Sequence, residues 1–409
     1  MIKRELYLKK IRKLIDKEEI KVITGVRRSG KTCLLKLIKE ELIERGVNEK
    51  NIFYITFESA KFDSIKNYND LNDYIFNILS NSKINNEIEK IYLLFDEIQL
   101  VENWEKSINS FRVDLNADIY ITGSNSNLLT GDLATLLAGR YIRIPIFPFS
   151  FKEILEYYEN KGNEITELKK IYLFEEYLNY GGFPGLLKYD SFEKLDYLRD
   201  IYDSIVLNDV LSRNNIKNID LLKKLIQYVI NTIGQPFSSP SISKYLKNEG
   251  IKSSPKSILN YMQCISNSFL IYNAKREDLK GKTILKSYEK YYLVDIGFYY
   301  LFNDQNNRSM GSLLENIVYI ELLRRGYTVT IGKLNNLEVD FVCKKPGEIF
   351  YVQVSETILG EETRKRELKP FDKIKDNYPK YIFTLDSFKL PVDSYIHKNI
   401  IDFLLEDYW

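Results

Sequence analysis

Residues 25–32 read GVRRSGKT, so Gly25 and Gly30 flank a short polar turn that ends in Lys31 and Thr32. Glycines at this spacing let the backbone curl until its N–H groups face an anion, and a helix starting there adds the positive end of its dipole. The chemistry expected is that of a phosphate cradle. Lys31 bridges β and γ oxygens of ATP, the Thr32 hydroxyl binds Mg²⁺, and Arg28, Ser29 and Cys33 complete the stretch that meets the nucleotide. A second set lies in IYLLFDEIQ, where Asp96 ends an apolar run and Glu97 follows it. A carboxylate at that strand end holds the Mg²⁺ shell and an adjacent glutamate activates water, a pair that favours hydrolysis. In ITGSNS, Ser124 or Asn125 is placed to touch the γ-phosphate or the attacking water.

These residues need a scaffold, and the surrounding pattern predicts one. Apolar runs at 20–24, 52–57, 91–95, 119–122 and 141–146 alternate with helical patterns, the mark of a parallel α/β sheet with helices packed on it. A chain of 409 residues, 44% hydrophobic and 28% charged, has material for roughly two to four domains with cores of their own. Its 59 Lys and Arg against 57 Asp and Glu leave a net charge of +2, which makes no global electrostatic claim on nucleic acid or membrane. Any basic site must be local. Cys33, Cys264 and Cys343 stand far apart, without metal spacing or an even disulfide framework, which suits a reducing cytosol. The charged start MIKRELYLKKIRKLI reads as neither signal peptide nor membrane span, and no other stretch is long and apolar enough to cross a bilayer. The expected location is the cytoplasm.

The strings ITGVRRSGKT, LLFDEIQ, ITGS and GRYIRIPIFPFSFKEIL, followed by YLNYGGFPGLL, resemble the AAA-type ATPases close to the archaeal ATPase and STAND groups. The resemblance implies a P-loop nucleotide domain over residues 1–149 whose catalytic residues are Glu97, Asn125 and Arg140. Arg140, expected at a helix end with Arg143 in the following strand, would reach a neighbouring subunit's nucleotide in a homo-oligomer. It also implies that Gly182-Phe183-Pro184 senses the adenine from a helical lid over 150–215, with Pro184 as the contact. Ser150 and Glu153 form a capping box that opens the lid near Phe151.

Beyond the lid, Ser239-Pro240 and Ser254-Pro255 each read as a helix start, with Gly250 as a stop between them. A hairpin from Leu270 to Tyr292, with the basic stretch KREDLKGKTILK, completes a winged helix over 216–304, as in the resembling family. Its second helix carries Lys256, Ser257, Asn260 and Gln263, and contact with DNA or packing on the nucleotide domain both remain open.

Residues 305–409 read helix, three strands, helix, strand. In LEVDFVC the residues Leu337, Val339, Phe341 and Cys343 alternate with Glu338 and Asp340, so one face is core and the other holds carboxylates. The arrangement is similar to the restriction-endonuclease-like PD-(D/E)xK fold, and the matching residues are Glu315, Asp340 and Gln353. Ser355 stands where that fold carries a lysine, so little or no cleavage is expected unless Glu356, Lys344 or Lys365 enters the site. The expectation is a Mg²⁺-dependent ATPase in four parts that acts on DNA, the alternative being a nucleotide switch that binds a protein.

Overall fold

Five parallel strands carry the first part of the chain: β1 (Ile20–Thr24), β2 (Ile52–Thr56), β3 (Ile91–Asp96), β4 (Ala117–Gly123) and β5 (Tyr141–Pro145), in the order β2-β3-β4-β1-β5. Helices α1 (Glu5–Arg12), α2 (Lys31–Glu44), α3 (Tyr68–Asn81) and α4 (Trp104–Asp114) accompany them. β1 and β3 are buried along their whole length, as a parallel strand covered on both faces must be. In this computed structural model residues 2–82, 84, 89–124, 137–214, 216–303, 309–388 and 394–407 are described. The chain divides into two units, Met1–Phe147 and Pro148–Trp409.

Register brings the strand ends of the first unit level. Thr56 pairs with Asp96, Phe95 with Ile121, and Thr24 with both Gly123 and Pro145. The turn after β1, the end of β3 and the end of β4 therefore meet at the carboxyl edge, where open α/β sheets place their ligands. Toward the opposite edge, the Lys21 ammonium lies 2.6 Å from Asp118 with both side chains fully buried.

The second unit begins with helices α5 (Phe151–Glu159), α6 (Glu167–Tyr180) and α7 (Ser191–Ser204), the last running into a π-helical stretch at Ile205–Leu211. The capping box at the start of α5 is formed in full: Glu153 N–H donates to Ser150 Oγ and Ser150 N–H donates to Glu153 Oε2. Helices α8 (Ile219–Asn231), α9 (Ser239–Asn248) and α10 (Pro255–Asn267) follow. Ser254 caps α10, whereas the cap of α9 is Ser238, one residue before the expected Ser239, so Pro240 occupies the second helical position.

Strands β6 (Ile271–Asp278) and β7 (Thr283–Leu293) form the expected hairpin, but they are not a free-standing wing. β6 pairs in parallel with β8 (Thr328–Leu334) and joins one seven-stranded sheet with β9 (Leu337–Lys345), β10 (Glu348–Val354), β11 (Lys380–Thr384) and β12 (Ile396–Asn399), in the order β12-β11-β10-β9-β8-β6-β7. A boundary at 304/305 thus crosses a hydrogen-bonded sheet. Helices α11 (Met310–Arg324), α12 (Glu361–Leu368) and α13 (Ile400–Leu405) complete the unit. No helix among the described residues is long and apolar enough to cross a membrane.

Candidate active site

The turn between β1 and α2 is shaped by close backbone approach. A Cβ on Gly25 would fall 2.2 Å from the Ile146 carbonyl oxygen, so a side chain there would displace the loop from β5. Arg28 and Gly30 both adopt left-handed backbone, at φ +65° and +99°. Ser29 is fully buried and its hydroxyl has no hydrogen-bond partner. Lys31 is also buried; its ammonium donates to the Gly25 and Val26 carbonyls, both at 3.2 Å, and lies 3.5 Å from Glu97 Oε1. Cys33 is exposed on the first turn of α2.

Asp96 ends β3 almost fully buried. Its Oδ1 accepts the Thr122 hydroxyl at 2.7 Å, while its Oδ2 is buried without a hydrogen-bond partner. Burial pushes the Asp96 carboxyl above the ordinary range, and the Thr122 and Thr32 hydroxyls pull it back. An orphaned carboxylate oxygen near a threonine hydroxyl and a buried ammonium fits a hydrated divalent cation carrying phosphate. These residues therefore suit Mg²⁺ and ATP. Glu97 sits at φ +54°, a conformation that costs a residue with a side chain about 1–3 kcal/mol. It is held there because its N–H donates to Thr122 Oγ1 at 2.9 Å, while the Gln99 amide donates to its carboxylate.

Two residues of this edge carried no signal in the motif spacing. Thr122 stands in the ITGS string, where spacing assigns it no role, and only the β3–β4 register gives its hydroxyl both Asp96 and Glu97. Arg4 belongs to a charged leader, yet its guanidinium is buried and donates to the carbonyls of Ser29 and Phe147, each at 2.8 Å.

The remaining expected residues distribute as follows. Ser124 is fully buried just after β4, and Asn125 lies outside the described residues. Arg140 is exposed in the turn before β5, with its guanidinium 3.4 Å from Asn109 Oδ1. Arg143 donates to Thr24 Oγ1 at 3.1 Å.

Pro184, in the second unit, opens a short 3₁₀ helix after the turn at Gly181 and Gly182. Buried Asp295 fixes that turn by accepting the N–H groups of Gly182 and Gly297 at 2.8 and 2.9 Å, and a Cβ on Gly181 would collide with its carboxylate. Burial raises Asp295 to about 6, against the pull of those N–H groups. An unfolded aspartate titrates near 4, so the folded chain holds the extra proton between these values. The Asp295 contribution to stability is therefore complete below pH 4 and lost as pH rises through 6. Urea unfolding at pH 5 and pH 7.5 should show wild type gaining about 1 kcal/mol more on acidification than Asp295→Asn; equal gains would contradict the assignment.

The second unit also gathers Glu315, Asp340 and Gln353. Asp340 N–H donates to Gln353 Oε1 at 2.6 Å and Val354 N–H donates to Asp340 Oδ2 at 2.8 Å. Glu315 Oε1 accepts the Tyr292 hydroxyl at 2.5 Å. The lysine comes from β7: buried Lys290 reaches Glu315 at 3.0 Å and Glu338 at 2.9 Å. Burial works against its charge, but Glu315, Asp340 and Glu338 outweigh it and hold the ammonium above the ordinary lysine range. Asp340 is pushed well up by burial and by Glu315. The lysines considered as alternatives are engaged elsewhere, Lys344 with Glu277 and Lys365 with Glu361, and Ser355 donates its hydroxyl to the Thr357 carbonyl.

Comparison with known proteins agrees with the first unit's architecture. Residues 17–155 match an AAA domain, and residues 171–309 match a domain of unknown function. An uncharacterized protein of Haemophilus influenzae is 42% identical over 407 residues, covering 99% of both chains. An uncharacterized protein of Methanocaldococcus jannaschii is 32% identical over 400 residues, covering 95% of this chain and 85% of that one. Among solved structures, the Walker-type ATPase of Pyrococcus abyssi aligns over 74% of this chain and 96% of its own, at 15% identity and a TM-score of 0.49, a likeness too loose to transfer anything to this chain. The protein belongs to the same family as these Haemophilus and Methanocaldococcus proteins, and its N-terminal part is an AAA domain of the P-loop ATPase type.

Proposed function

We propose that the first unit binds ATP with Mg²⁺ at the carboxyl edge of its sheet and hydrolyses it, and that turnover rearranges the second unit on DNA. The observation that carries the ATPase reading is the buried, partnerless Asp96 Oδ2 at the strand end that also presents Glu97 to Lys31. Bound Mg²⁺ and ATP would supply the phosphoanhydride and neutralise its charge. Thr32 and Asp96 would hold the metal; the N–H groups of the 25–32 turn, with the Ser29 hydroxyl, would hold the phosphates. Lys31 would exchange the Gly25 and Val26 carbonyls for phosphate oxygens and so loosen its hold on Glu97, whose carboxylate then takes a proton from water. Thr122 keeps Asp96 and Glu97 in fixed relation while this happens. Pro184 would read the adenine and Asn125 the γ-phosphate.

Arg140, exposed in its turn, would act on the nucleotide of a second copy. Arg140→Ala should then slow hydrolysis by about 10³ to 10⁵ with little change in ATP affinity. Mixing it with Glu97→Gln should restore activity in mixed assemblies, since each supplies what the other lacks. No recovery in a confirmed hetero-oligomer would reduce Arg140 to a local role.

Support for DNA comes from α10, whose exposed face offers Lys256, Asn260 and Gln263. The carboxylate cluster around Lys290 we read as non-cleaving: the neutral Gln353 amide is spent on the Asp340 N–H, and the lysine ammonium already stands between Glu315 and Glu338. The test is ATP turnover with and without duplex and single-stranded DNA across a salt series. Stimulation that weakens steeply with salt supports the reading; turnover indifferent to DNA moves the object to a protein.

A further inference from the structure

The net charge of +2 spread over 409 residues requires any basic surface to be local, and one such concentration lies in the second unit. A groove of about 920 Å³ opens on the sheet beside the turn between β6 and β7. Lys280 and Lys282 line it from that turn, and Lys373 and Lys375 from the segment after α12. All four are exposed, and none enters an ion pair among the described residues. The carboxylates of the groove are committed. Glu277 binds Lys344 at 2.5 Å and accepts the Thr330 hydroxyl, and Asp376 accepts the Tyr351 hydroxyl at 2.6 Å.

The floor has the opposite character. Leu334, Val342, Ile349 and Ile374 form it with the ring of Tyr351, which pairs across the sheet with Val342. Beneath them the core of this face includes Val339 and Phe371. Tyr378 stands at the groove with 45% of its surface exposed. A ligand matched to this groove is polyanionic along one side and flat and apolar along the other.

We propose that this groove binds single-stranded nucleic acid, its phosphates on the four lysines and its bases on the apolar floor and the Tyr378 ring. A positively charged track beside aromatic surface is how unpaired strands are held without sequence readout. Duplex DNA fits less well because its base faces are stacked away from such a floor, and an acidic peptide would satisfy the lysines while leaving the floor uncovered. The inference extends the DNA reading of the second unit to a named surface and does not depend on the ATPase reading.

The test uses the full chain without nucleotide and follows the fluorescence anisotropy of a labelled oligothymidylate. Wild type is expected to bind with affinity that falls as salt rises, by about 0.7 log units per log unit of salt for each phosphate contacted. Lys280→Glu/Lys282→Glu and Lys373→Glu/Lys375→Glu should each weaken binding by roughly tenfold or more and flatten that slope, and Tyr378→Ala should weaken it without changing the slope. Unfolding midpoints and basal ATP turnover should stay at wild-type values, because these side chains are exposed and belong to the other unit. The proposal is overturned if wild type does not bind the oligonucleotide, or if the charge reversals bind it as wild type does. It is equally overturned if duplex, polyglutamate or thymidine monophosphate competes as well as the unlabelled strand. Loss of DNA-stimulated turnover with oligonucleotide binding intact would fault the coupling proposed above and leave the groove standing.

Discussion

Glu97→Gln is expected to bind ATP as wild type does and to hydrolyse it about 10² to 10⁴ times more slowly, the usual cost of removing a general base. The amide keeps the shape of the side chain and the Gln99 contact region, while the backbone N–H that donates to Thr122 is untouched. Lys31→Ala should fail one step earlier. It removes the buried ammonium that now rests on the Gly25 and Val26 carbonyls, and with it the loop's charge for the β and γ phosphates. Equilibrium binding of a fluorescent ATP analogue and steady-state phosphate release separate the two variants. Unchanged turnover in Glu97→Gln would remove that residue as the base; ordinary nucleotide affinity in Lys31→Ala would remove the phosphate cradle.

Lys290→Met should cost about 3 to 5 kcal/mol of unfolding free energy, because the ammonium between Glu315 and Glu338 is lost while both carboxylates stay behind and, among the described residues, only Glu338 keeps a second cation, Arg276 at 3.1 Å. Glu315 lies 3.0 Å and Glu338 2.9 Å from the ammonium, and Asp340 depends on the same charge. Methionine keeps most of the volume, so the loss reports charge rather than a cavity. Lys290→Met/Glu315→Gln should recover part of it, and the single variant's deficit should shrink in acid as the carboxylates take up protons. Urea unfolding at pH 7.5 measures the difference. A loss below about 1 kcal/mol, or a double variant worse than the single, would contradict the role given to Lys290.

What the sequence revealed and what it hid divide along contact range. GVRRSGKT and the run before Asp96 are local patterns: a turn between strand and helix, and a strand buried on both faces, write their requirements into adjacent residues. The same holds for the Ser150–Glu153 cap, whose partners lie three residues apart. Thr122 and Arg4 matter through residues 26 and 25 positions away along the chain, Asp96 and Ser29, and no spacing rule reaches that far. Lys21 interrupts an apolar run and would be read as facing solvent, yet register gives it Asp118. Glu315, Asp340 and Gln353 came together through the resemblance to the PD-(D/E)xK fold and the order of elements, and alternation spoke for Asp340 alone. Their cation was not legible, because it arrives from β7, in a hairpin that reads locally as a separate wing and joins the sheet only through the β6–β8 pairing. The Ser238 cap of α9 shows the smaller limit, since two serines before a proline give a start but not its register.

The most direct measurement is single-turnover phosphate release from ATP by the wild-type chain, with Mg²⁺ and with the metal chelated, beside Glu97→Gln under the same conditions. Release should require Mg²⁺ and fall at least about a hundredfold in the variant while bound ATP persists. Release that continues without metal, or proceeds equally in both proteins, would contradict the ATPase reading.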